Sequence, residues 1–292
     1  MSDPVRRAPL TATRGTTPPR AASATGEAAP NMVWVCRSTT LPHAQYRFYR
    51  AILLVFPERG GPPDRQILQQ LARRNGVDLD ATLSTLAIHD LVQRDPTTGT
   101  ITAAYPFSGV PKPHRVTLLI DPMASTGVQL YAMCALDALG VPLMLRRPAL
   151  VTSADALTGE AVHVRLWQEE EVTARDAESG VPGWRAAWEP GTAVVYARPE
   201  DPTVDDSDIA AACRCPVTNF FTAPAQAHRW AERHGAPGDV LLASVEALQR
   251  AERRFGGLLD RLPEAEAGAL GEYARAGCSR IQPPASEAGE RE

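Results

Sequence analysis

No part of this 292-residue chain carries a long apolar run. Stretches such as AILLVF and DVLLASV fall far short of the roughly 18 apolar residues that mark a membrane-spanning helix. Nor does one sign of charge dominate. Thirty basic side chains against 34 acidic ones leave a net charge of −4, which argues against a protein that wraps a polyanion. Cysteine is scarce: Cys36, Cys134, Cys213, Cys215 and Cys278 are the full set. They are too few and too unevenly spaced for a disulfide scaffold, and their odd number leaves at least one unpaired. The six histidines show neither HxH nor HExxH spacing, and the Cys213/Cys215 pair has no second pair to match it. A four-ligand structural zinc site is therefore not expected.

What is present is a globular composition, 44% hydrophobic, with an unusual 26 prolines. Residues 1–30 hold prolines, small polar residues and arginines. No apolar core of a signal peptide follows Arg6-Arg7, so a disordered tail is expected there. Residues 263–292 are expected to form a helical or disordered C-terminal tail. With no membrane span and no signal, the expected compartment is the cytoplasm, where thiols stay reduced.

From residue 31 to 104 the pattern is that of a helical module. Helices are expected over 44–56, with Tyr46, Tyr49, Leu53 and Phe56 on one face, over 64–76, ending at Asn75-Gly76, and over 77–92, capped by Asp78 or Asp80. Asp95-Pro-Thr-Thr-Gly99 then reads as the turn of a hairpin. Three helices closed by a hairpin make a winged helix-turn-helix. In a DNA-binding version Arg65, Arg73, Arg74 and Arg94 would meet phosphates. The third helix, however, carries Asp78, Asp80 and Asp90 and no Lys or Arg, so nucleic acid is not the expected partner and the module reads as a packing partner.

Residues 105–262 read as an α+β domain. Strands are expected over 114–120, 148–153, 160–167 and 192–199. Helices are expected over 128–140, 205–212, 226–234 and 240–259. Two constellations within it bear chemistry. Cys134 and Asp137 stand three apart on an expected helix, so thiol and carboxylate share a face amid apolar neighbours. Such a pair is either a small core cysteine beside a capping aspartate, or a proton donor whose pKa is raised by burial. The second constellation is CRCPVTNFF (213–221). Its thiols are too close in sequence for an unstrained mutual disulfide. Cys134 together with Cys213 or Cys215 would suit a soft metal that takes two thiolates.

LYAMCALDALGVPLM, the strand pair containing TSADALTGEAV, CRCPVTNFF and the Trp230 helix ending at His234 together resemble the organomercurial (alkylmercury) lyases, over roughly residues 44–260. The resemblance implies a winged-helix-like N-terminal module followed by a domain of antiparallel strands and helices. It also implies an active site of Cys134, Asp137 and Cys215, since Cys215 has the family's spacing to Phe220-Phe221. The implied reaction is protonolysis of a carbon–mercury bond. Two thiolates bind R–Hg⁺, Asp137 relays the proton to carbon, and Hg²⁺ remains on Cys134, Asp137 and Cys215. No organic cofactor is implied; the implied partners are the organomercurial substrate, cellular thiols and a mercuric reductase. The chain departs from the family pattern in having Asp155 where members often carry a structural third cysteine, Met133 where an aromatic residue often precedes the first active-site cysteine, and an additional Cys213. Two other functions fit parts of the pattern. One is a protein of the same fold that handles another soft-metal or sulfur-containing ligand. The other is a metal-responsive winged-helix regulator that binds DNA.

Overall fold

The structure, a computed structural model, describes residues 41–169, 179–198, 210, 214–234 and 240–260. The two expected tails, Cys36, Cys213, Cys278 and most of the helix expected over 205–212 lie outside the described residues.

Three helices open the described chain: α1 (His43–Arg59), α2 (Arg65–Asn75) and α3 (Leu79–Ile88). Their ends follow from local chemistry. The Asp64 carboxylate accepts the Ile67 N–H at 2.9 Å and the Asp78 carboxylate accepts the Ala81 N–H at 2.8 Å, satisfying amides that a helix start leaves without partners. Gly76 stops α2 at φ 66°, a left-handed conformation that glycine adopts without a Cβ clash. Helix α1 turns Phe48, Tyr49, Ile52, Leu53 and Phe56 fully inward, and Phe56 stacks on Phe107 with ring centroids 4.7 Å apart.

A hairpin of β1 (Val92–Arg94) and β2 (Ile101–Ala104) follows, its turn pinned by Asp95 Oδ1, which accepts the amides of Thr97 and Thr98. The chain then forms β3 (Phe107–Ser108), β4 (Arg115–Leu119), β5 (Gly127–Ala132), α4 (Ala135–Leu145), β6 (Ala149–Ala154), β7 (Ala161–Gln168) and β8 (Trp184–Glu189). All eight strands join one antiparallel sheet in the order β1-β2-β3-β5-β4-β6-β7-β8. A second, three-stranded sheet has β9 (Val194–Ala197) between β10 (Asn219–Phe221) and β11 (Val240–Leu242). Helices α5 (Pro224–His234) and α6 (Ser244–Phe255) complete the chain. This is a mixed α+β fold built on antiparallel strands.

One hydrophobic core runs from α1 through the large sheet to α6, and a smaller cluster of Val194, Tyr196, Phe221, Ala227 and Trp230 lies under α5. Helix α4 is buried almost throughout and packs on α6. The two approach so closely that a Cβ on Gly140 would stand 2.2 Å from the Phe255 ring.

Several sequence expectations change. Residues 128–140 are not one helix: Gly127–Ala132 is strand β5, and α4 starts only after Cys134 and runs on to Leu145. The alternation Val128, Leu130, Ala132 is the period of a strand, and β5 is held on both sides, by β3 and β4. Similarly, 240–259 divides into β11 and the shorter α6. Strands β3, β8 and β10 were not anticipated, and the helix expected over 77–92 ends at Ile88, with Val92 already in β1. Among the described residues, no helix is long and apolar enough to cross a membrane.

Candidate active site

Cys134 stands at the junction where β5 becomes α4. Its backbone is extended (φ −152°, ψ −179°), and its carbonyl accepts the Ala138 N–H at 2.9 Å as the helix begins. Asp137 is three residues on, in the first turn. Thiol and carboxylate are therefore neighbours, as cap residue and first-turn residue rather than as mid-helix partners. Cys215 arrives from another part of the chain, on the turn between Ala210 and β10. That turn is fixed to the helix start: the Thr218 carbonyl accepts the Ala135 N–H at 3.1 Å, an amide with no partner inside the helix.

The ligand atoms of Cys134, Asp137 and Cys215 all lie within 4.8 Å of one another, and all three residues are buried. Cys215 Sγ donates to Asp137 Oδ2 over 3.8 Å. Cys134 and Cys215 are both free thiols. Burial pushes the Cys134 thiol well above its ordinary pKa, and the facing Cys215 and Asp137 push it further. Burial also raises Asp137, to about 6, against the opposing pull of hydrogen bonds from Cys134 and Cys215 and the charge of Arg254. The site thus holds a protonated thiol beside a carboxylate that gains and loses its proton close to neutrality. Two sulfurs and one oxygen at this spacing form a donor set for one soft cation.

The chain belongs to the alkylmercury lyase family. The family's alkylmercury lyase model matches residues 107–256, half of the chain, and this stretch contains Cys134, Asp137, Cys215 and the Phe220-Phe221 pair. An alkylmercury lyase of Bacillus cereus is 29% identical over 140 residues, covering 48% of this chain and 52% of that protein. One of Streptomyces lividans is 33% identical over 126 residues, covering 42% and 48%. The chain spans about half the length of the curated relatives it matches. Its fold is similar to the crystal structure of the mercury-bound form of MerB2, with a TM-score of 0.57, 18% identity, and coverage of 79% of this chain and 98% of that one.

The sequence reading gave no hydrogen-bonding role to Asp155, His114 or Tyr49. Asp155 is buried, and its carboxylate accepts the amides of Leu157, Thr158 and Thr222 and the Thr222 hydroxyl. Burial alone would raise its pKa, yet these bonds hold it below the ordinary value. It ties the β6–β7 turn to the end of β10. His114 is buried, with Nδ1 2.8 Å from Ser153 Oγ and its ring edge-on to Phe220. Burial lowers it to about 4, so it is neutral at physiological pH. Tyr49 from α1 donates to the Tyr105 carbonyl at 2.9 Å, and the next carbonyl, of Pro106, accepts the Met133 N–H at 3.2 Å. Asp155 stands within TSADALTGEAV, but its bonds to Thr222, like those of His114 to Ser153 and Tyr49 to Tyr105, join segments far apart in sequence.

Proposed function

We propose that this protein is an organomercurial lyase that cleaves the carbon–mercury bond of R–Hg⁺ to give RH and Hg²⁺, with Cys134, Asp137 and Cys215 as its catalytic residues. The observation that carries this reading is the convergence of two buried free thiols and a carboxylate within 4.8 Å, in a chain of the alkylmercury lyase family.

The steps balance in protons and charge. R–Hg⁺ exchanges onto the first thiol, and that thiol's proton goes to buffer. As the second thiol bonds to mercury, its proton passes to Asp137, the adjacent base. Two sulfur donors then load electron density onto the Hg–C bond. Asp137 returns its proton to the carbon as the bond breaks, and the bond's electron pair leaves with the hydrocarbon. Mercury stays divalent throughout and ends on two thiolates. Excess cellular thiol carries it away, and a mercuric reductase is a suitable acceptor.

Soft mercury favours sulfur over oxygen and nitrogen, so two thiolates outcompete other donors in a cell. The chemistry calls for no organic cofactor, and two thiols that must stay reduced suit a reducing compartment such as the cytoplasm. In this reading the three N-terminal helices and their hairpin are a winged-helix-like module used as a packing partner. Asp78, which caps α3, and Asp80 within it disfavour DNA.

The test is hydrocarbon release. Reduced protein incubated with a phenylmercury salt and excess thiol is expected to liberate benzene, and a Cys134→Ala/Cys215→Ala double variant is expected to release none above the thiol-only background. Equal benzene from both proteins would refute the assignment.

A further inference from the structure

Asp90 lies outside the cysteine–aspartate cluster, at the corner between α3 and β1, yet it is buried and stands at φ 51°. Aspartate is one of the few residues other than glycine that tolerate this left-handed conformation. Its two carboxylate oxygens point to two different segments. Oδ2 accepts the Ala210 N–H at 2.8 Å. The Ala210 carbonyl in turn accepts the N–H groups of Arg214 at 2.9 Å and Cys215 at 2.8 Å. Oδ1 accepts from Gln93 Nε2 at 3.0 Å, and the same amide donates to the Tyr105 hydroxyl at 3.2 Å. Tyr105 leads directly to Pro106, whose carbonyl holds the amide of Met133, the residue before Cys134.

We propose that Asp90 is a positioning residue that sets the separation of the two site thiols, one carboxylate oxygen fixing the turn that presents Cys215 and the other fixing the segment behind Cys134. The inference rests on the lyase reading and deepens it. Two thiolates grip one ion better than either alone, and the gain is greatest when their spacing is prearranged. Asp90 supplies that arrangement from the N-terminal part of the chain, without touching the substrate.

The test uses full-length protein with Cys36, Cys213 and Cys278 replaced by serine, which leaves only the two site thiols. Mercuric ion is loaded at one equivalent and its retention is measured against a competing monothiol, alongside kcat and KM for benzene release. Asp90→Gly removes both acceptors without straining the backbone. Asp90→Asn keeps an acceptor for Ala210 N–H, because Gln93 can flip its amide, offer its oxygen to the new amide donor and accept from Tyr105 Oη. Asp90→Gly, checked as folded by thermal unfolding, is expected to lose mercury faster and to lower kcat about 100-fold, the scale of a misplacement of about 1 Å. KM should change little, and Asp90→Asn should restore both properties.

Wild-type retention and kcat in folded Asp90→Gly would overturn the proposal, as would an equal loss in Asp90→Asn. If Asp90→Gly does not fold, Gln93→Met, which cuts only the Tyr105 arm, decides: weakened retention supports the proposal and unchanged retention overturns it. A parent protein that neither retains mercury nor releases benzene would refute the lyase reading itself, a failure distinct from parental activity that Asp90 variants leave untouched.

Discussion

Asp137 holds its proton up to about pH 6 because burial disfavours the charged carboxylate. At neutral pH it is ionised and can take a thiol proton; below about pH 6 it is already protonated and cannot. Single-turnover hydrocarbon release is therefore expected to fall as pH drops through about 6, and a rate that stays flat from pH 8 to 5 would exclude Asp137 as the proton acceptor. The same burial costs stability. The ordinary value for an aspartate is 3.8, so between about pH 4 and 6 the native protein binds more protons than the unfolded chain. This group's stabilising contribution is full below about pH 4 and is lost as pH rises through about 6. Two pH units correspond to roughly 3 kcal/mol. Asp137→Asn, which resembles the protonated acid, is expected to raise Tm at pH 7 and to confer little advantage at pH 4. A lower Tm at pH 7 would contradict this. The three residues named from the sequence do meet in space: Cys134 and Asp137 were visible as neighbours at a spacing of three, and Cys215 was singled out by a family-like distance to Phe220-Phe221.

Elements were less legible than residues where two periodicities meet. Caps and breakers marked α2 and α3 to within a few residues, because Asp64, Asp78 and Gly76 act on their immediate neighbours. The junction at Cys134 was obscured because Leu130 through Leu139 is apolar or small at nearly every position, so strand and helix periods overlap. Pairing with β3 and β4, which is not local, decides it. Asp155 was visible only as a departure from a family pattern, and the structure gives it four hydrogen bonds between the β6–β7 turn and Thr222. Asp155→Ala would leave the donors in this buried knot without their acceptor and is expected to cost about 2–4 kcal/mol. Urea unfolding measures this cost, and a loss below about 0.5 kcal/mol would show that the knot does not hold β10 in place.

At the scale of the molecule, the N-terminal helices share one hydrophobic core with the strands and helices around the site. Tyr49 and Asp90 extend that union by hydrogen bonds to Tyr105 and Ala210, in segments that lead to the site. Heat or urea is therefore expected to unfold the described part of the chain in one cooperative step. Fluorescence and circular dichroism should give coincident midpoints, and an early transition confined to the first three helices would contradict a shared core. Composition could not reveal this unity, because contacts between α1 and β5 or α4 and α6 join residues far apart in sequence. The proposed lyase chemistry rests on a division of labour, with sulfur gripping mercury and Asp137 delivering the proton. The most direct measurement is a single turnover of stoichiometric phenylmercury by wild-type protein and by Asp137→Asn, recording both mercury retained on the protein and benzene released. The expected result is equal mercury binding with benzene formation slowed by about 100-fold or more in the variant. Benzene released by Asp137→Asn at the wild-type rate would contradict the account.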